Sequence, residues 1–181
     1  MTGAASPERR SAQIEVRAKG RRLEGYAALF NTEARIGSFS ETIRAGAFSG
    51  SLKGWDCLAL VDHDPSRVLG RTSSGTLRLS EDSRGLAFDL DVPATSYGND
   101  ILALVESRNA GGMSFGFSVP DGGDHWDGDR RELRNIILHE VSVVAAWPAY
   151  SGTIVNARSR GGLAPATRLI LARRYLDTLG A

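Results

Sequence analysis

Residues 112–119 read Gly112-Met113-Ser114-Phe115-Gly116-Phe117-Ser118-Val119, and the fold turns on this stretch. Its first five residues have the G-x-S-x-G spacing of a nucleophile elbow. An elbow requires a strand, a sharp turn and then a helix. Here the alternation runs on past the serine. Met113, Phe115, Phe117 and Val119 alternate with Gly112, Ser114, Gly116 and Ser118, and a period of two is a strand. The α/β-hydrolase reading therefore fails on context. The apolar set predicts a core face. Ser114 is then expected on an open outer face, where flanking glycines leave room for another backbone to lie close.

Working outward, most neighbouring segments also carry strand signals. Gln13–Lys19, Arg22–Phe30, Cys57–Val61 and Arg67–Arg71 read as strands. Thr76–Ser80 and Gly85–Val92 read as a hairpin, and Arg131–Leu138 and Glu140–Ala146 as two strands or one bent one. Pro120–Asp129 reads as an acidic, glycine-rich loop. Asp100–Asn109 is the clearest helix, with Thr95 or Ser96 as its cap and Gly111-Gly112 as its stop. Ser40 is expected to cap a short helix running to Lys53, weakened by Gly46 and Gly50. Pro165–Leu179 reads as a further helix. The fold class is α+β, mainly β: a closed or partly open antiparallel β-barrel with a few peripheral helices.

Composition narrows the functional classes. The chain has 181 residues, about one domain, and 41% of them are hydrophobic, enough for a core. No window reaches the roughly 18 consecutive apolar residues of a membrane span, and the N-terminus has no apolar signal core. Cys57 is the one cysteine, so neither a disulfide framework nor a multi-cysteine zinc site can form. The net charge is +1, unevenly spread. Residues 1–22 hold six Arg or Lys against two Glu, and residues 157–181 hold five Arg against Asp177, so two basic ends flank an acidic body. Nothing in that body interleaves basic and stacking aromatic residues, so no specific nucleic-acid function is expected. The boundaries read as a disordered basic N-terminus over 1–12, a folded domain over 13–156, and a basic linker with a C-terminal helix over 157–181.

Three histidines are available: His63, His125 and His139. They lack metal-ligand spacing, and no metal or cofactor is expected. A serine at neutral pH needs a base within hydrogen-bond reach. His63, at the end of the Cys57–Val61 run, is the base candidate. His139 and Glu140 head the next apolar strand, an ionisable pair that is costly there unless partnered.

Together these segments resemble the prohead (procapsid maturation) serine proteases of tailed phages, a family similar to the herpesvirus capsid-maturation protease. The resemblance covers about residues 23–156. It rests on Leu23–Phe30 (LEGYAALF) with Gly46-Ala47-Phe48, on Leu60–Arg71 (LVDHDPSRVLGR), on the Thr95–Asn109 helix, on Gly112–Phe117 (GMSFGF) and on Leu138–Thr153 (LHEVSVVAAWPAYSGT). It implies a protease domain over 13–156 with a herpesvirus-protease-like barrel. It also implies Ser114 as nucleophile, His63 as base and Glu140 as third member, with His139 the alternative. The implied function is an endopeptidase that cleaves scaffolding protein, or the scaffolding segment of the major capsid protein, inside the assembling prohead in the host cytoplasm. Self-cleavage and a homodimer are implied as well. Two other classes compete: a non-enzymatic scaffolding or assembly protein that kept the barrel, and a small-ester hydrolase. The polar face around Ser114 suits an extended peptide better than the apolar pocket of a small-ligand site.

Overall fold

The computed structural model describes residues 7–12, 16–110 and 112–145. The linker and helix expected beyond residue 156 lie outside the described residues, as does the Tyr150–Thr153 end of the last matched segment. Among the described residues thirteen strands and one α-helix follow in order: β1 (Glu8–Ala12), β2 (Arg17–Lys19), β3 (Arg22–Leu29), β4 (Ala34–Ile36), β5 (Phe39–Ile43), β6 (Leu58–Val61), β7 (Asp64–Arg71), β8 (Leu77–Glu81), β9 (Gly85–Asp91), α1 (Ser96–Glu106), β10 (Gly112–Ser118), β11 (Asp124–Asp127), β12 (Arg130–Leu133) and β13 (Ile137–Val144). They form three sheets, ordered β1-β10-β13-β6-β7, β11-β12-β5-β4 and β2-β3-β9-β8.

The protein is mainly β, as the alternation predicts. The antiparallel barrel is a different matter: among the described residues none of the three sheets closes on itself. Two of the pairings are parallel, β12 with β5 and β13 with β6. Parallel neighbours need long crossovers, and a pattern of local alternation carries no information about them.

The core lies between the sheets. Leu23, Ala27, Leu86, Phe88 and Leu90 of the β3–β9 ladder meet Met113, Phe115 and Phe117 of β10 and Leu138, Val141 and Val143 of β13 in one buried cluster. Phe48 is central to it, with ring centroids 5.7 Å from Phe115 and 6.1 Å from Phe30. Such aromatic pairs add about 0.5–1.5 kcal/mol each beyond their buried area. The helix forms where the cap predicts: the Gly98 amide donates to Thr95 Oγ1 at 3.2 Å, and Ile101, Leu102 and Val105 are buried.

Three local expectations are corrected. The helix from Ser40 to Lys53 is instead strand β5, a turn, and a single 3₁₀ turn over Ser51–Lys53. Gly46 has φ +90°, which no helix accommodates, and β5 gains ladders on both edges. The Pro120–Asp129 loop holds β11, an exposed four-residue strand with no apolar alternation to reveal it, paired to β12 across Gly128 (φ +60°). Within residues 1–12, read as disordered, Glu8–Ala12 form β1 on the edge of β10. That strand has no apolar run of its own. Its order comes from partners distant in sequence.

Candidate active site

Strand β10 lies between β1 and β13. Ser114 pairs with Ser142 and Gly116 with Glu140 across the β10–β13 ladder. Directly opposed residues share a sheet face. Ser114, Gly116, Glu140 and Ser142 therefore occupy one face, opposite the face of Met113, Phe115 and Phe117. Glu140 lies across Gly116 so closely that a Cβ there would sit 2.5 Å from Glu140 Oε1. The room predicted beside Ser114 for another backbone is, at Gly116, filled by this carboxylate.

His63 reaches the same face from the β6–β7 turn. Val61 pairs with Asp64, leaving Asp62 and His63 as a two-residue turn. Both have positive φ, 49° and 61°. That pattern belongs to a type I′ hairpin turn and is uncommon for residues other than glycine. Strand β13 holds the turn in place. The Asp62 amide donates to the Val143 carbonyl at 3.1 Å, the Ala145 amide to Asp62 Oδ1 at 2.9 Å, and the His63 amide to Ser142 Oγ at 3.2 Å.

The His63 ring meets Glu140 directly, with Nδ1 2.6 Å from Oε1. Both side chains are largely buried, 15% and 11% exposed. The other carboxylate oxygen accepts from Ser142 Oγ at 2.5 Å. An ionised carboxylate only accepts, so it holds the proton on Nδ1 and leaves the lone pair on Nε2. A base oriented in this way can receive a hydroxyl proton.

His139 is placed elsewhere. The β10–β13 register shifts between Gly116 and Phe117, so that Glu140 and Leu138 have partners and His139 is the extra residue of a bulge. Strict alternation would have put His139 with Val141 and Val143. The bulge turns it out to solvent, where Nε2 meets Ser118 Oγ at 2.9 Å, and gives its core place to Leu138.

Ser114 is fully buried rather than open. Its Oγ donates to the Arg10 carbonyl at 2.7 Å and accepts from Ser11 Oγ at 3.0 Å, both in β1. Among the described residues no hydrogen bond joins it to His63. The structure thus brings His63 and Glu140 together and puts Ser114 one strand away on their face, with its hydroxyl engaged by β1. Cys57 is buried, and that burial, helped by the charge of Glu140, pushes its thiol up to about 12.

The family model of the caudovirus prohead serine proteases matches residues 8–164. The chain belongs to that family. Comparisons with curated proteins and with solved structures gave no match. The match begins at Glu8, the first residue of β1, earlier than the resemblance read from the sequence. It makes this prohead protease a serine protease of phage capsid maturation. No helix among its described residues is long and apolar enough to cross a membrane.

Two features of the protease were missed in the sequence. Ser142 ties the His63 turn to Glu140, and its spacing of two from Glu140 was the available signal, since it fixes a shared face. The β1 strand had no such signal. Only pairing with β10 gives Arg10 and Ser11 a place beside Ser114.

Proposed function

We propose that this protease is a serine endopeptidase using Ser114 as nucleophile, His63 as general base and Glu140 as the group that orients the base. The carrying observation is the 2.6 Å contact between His63 Nδ1 and Glu140 Oε1 on the sheet face of Ser114. His63 Nε2 takes the Ser114 proton as Oγ attacks the scissile carbonyl. The amine leaves with that proton, and water then hydrolyses the acyl-enzyme by the same route. Glu140 stabilises the imidazolium formed at each stage. Its contact with His63, and the outward turn of His139, support Glu140 over His139 as third member.

The substrate that fits the family is scaffolding protein, or the scaffolding segment of the major capsid protein, cut inside the assembling prohead in the host cytoplasm. Self-cleavage and a homodimer belong to the same reading. Co-expression with the capsid and scaffolding proteins tests it, with intact mass as the readout. Ser114→Ala should leave the substrate at full length while the protease keeps its native melting profile. Processing at the unaltered rate in that variant removes Ser114 as nucleophile.

A further inference from the structure

The β1 edge of β10 bears on how a substrate reaches Ser114. Glu8–Ala12 lies antiparallel to β10, with Ser11 opposite Ser114 and Arg10 opposite Phe115. An extended peptide that adds to a sheet edge gains its affinity from such a ladder, and its register from alternate side chains. Strand β1 also occupies both functions of the hydroxyl. The proton that must go to a base is donated to the Arg10 carbonyl, and a lone pair that must attack accepts from Ser11 Oγ. A serine held this way is masked.

The latch is ionic. Arg10 makes a two-pronged contact with Glu41, Nε to Oε1 at 2.6 Å and Nη2 to Oε2 at 2.9 Å, and reaches Glu8 at 2.7 Å. Arg131 bridges Glu8 at 2.8 Å, Glu41 at 3.1 Å and Asp124 at 2.7 Å. The Arg10 guanidinium lies 5.3 Å from the centre of the Phe117 ring. With Arg10 gone, Glu41, which is 3% exposed, and Asp124 face Arg131 alone, two carboxylates against one cation. That vacancy suits a basic side chain.

We propose that the edge of β10 covered by β1 is the docking strip for the substrate's main chain, and that β1 is an intramolecular strap occupying it. The strap leaves before an extended peptide, with an Arg or Lys in the register of Arg10, can pair beside Ser114. This rests on Ser114 being the nucleophile.

Labelling of the full chain with a fluorophosphonate, with the adduct located by peptide mass spectrometry, tests the strap without a known substrate. Arg10→Glu sets a carboxylate against Glu41. Ser11→Pro disrupts the ladder and leaves every residue of the ionic cluster unchanged. Each variant should label Ser114 at least tenfold faster than the unaltered chain. An excess of a capped peptide spanning Pro7–Ala12 should slow either variant, and the same peptide with glutamate in place of its second arginine should not. Folded variants that label at the unaltered rate, or acceleration insensitive to the peptide, overturn the strap while Ser114 stays labelled. No adduct on Ser114 in any form removes the nucleophile, and the strap with it. In the unaltered chain, β1 amides should exchange hydrogen at least tenfold faster than those of β13. Equal protection of the two strands means that the strap does not open, and overturns the proposal without any variant.

Discussion

The two neighbours of β10 treat it differently. On one side, β13 supplies Glu140 and Ser142 and anchors the turn that carries His63, so the ring of the proposed base is already oriented. On the other side, β1 takes up the hydroxyl of Ser114. The β13 side is built from central strands whose apolar residues sit in the core. The β1 side is an edge strand held by a ladder and by arginine–carboxylate contacts. Central strands open only with the whole fold, whereas edges open locally. The oriented half of the site is therefore rigid, and the masked half is the one that can be released.

The largest effect should come from breaking the rigid half. His63→Ala should lower peptide cleavage by about 10⁴-fold or more, and adding Ser114→Ala should cost little further, because nucleophile and base act as one unit. Glu140→Gln keeps the shape but can present an N–H where His63 Nδ1 needs an acceptor, and should cost up to about 10⁴-fold in kcat. Steady-state kinetics on a capsid- or scaffold-derived peptide measure both. Full additivity of His63→Ala and Ser114→Ala would show that the two do not work together. A larger loss from His139→Ala than from Glu140→Gln would reassign the third member.

A smaller effect sharpens the comparison without removing any functional group. Gly116→Ala places a methyl group 2.5 Å from Glu140 Oε1, closer than real contacts allow. Overpacking of this kind costs about 1–3 kcal/mol, so the melting temperature should fall by several degrees. Glu140 must also move off His63, so kcat should fall by more than the lost stability explains, with KM little changed. A variant with lowered stability and unaltered kcat would mean that Glu140 does not need its present position.

The same contrast explains what was legible in the sequence. Met113, Phe115 and Phe117 announced β10, and its parity put Ser114 on the face opposite the core. The same parity puts Glu140 and Ser142 on one face, but it gave no sign that Ser142 ties the His63 turn to Glu140. Those inferences need only a strand's period of two. Parity failed at His139, because a bulge inserts one residue and shifts every side chain before it. It could not place β1, whose Glu-Arg-Arg-Ser-Ala composition carries no apolar signal and whose order depends on Glu41, Asp124 and Arg131, all distant in sequence. The sheet closure of the expected barrel, closed or partly open, is not confirmed, and the parallel pairings of β13 with β6 and β12 with β5 join segments that no local pattern links.

The smallest effect concerns the strap, and its sign follows from Glu8. Burial alone would raise the Glu8 carboxyl, but the hydrogen bonds and charges of Arg131 and Arg10 outweigh it and hold the group below its ordinary value of 4.5. A carboxyl lowered in the folded state adds stability above that ordinary value, and loses it as pH falls through the lower, folded value. The groups around it are Arg10, Arg131, Glu41 and Asp124. Protonating Glu8 leaves the two arginines with Glu41 and Asp124 and loosens the N-terminal end of β1 first. Hydrogen exchange corrected for intrinsic rates should therefore show β1 losing protection relative to β13 as the solution is taken from neutrality to below 4.5. Glu8→Gln should lose about two- to five-fold of that protection already at neutral pH, the range expected of a partly exposed ion pair, and should flatten the pH dependence. An unchanged profile in Glu8→Gln would move the latch onto the Arg10–Glu41 contact alone. In that case Arg10→Glu would free the strap as fully as breaking the ladder with Ser11→Pro.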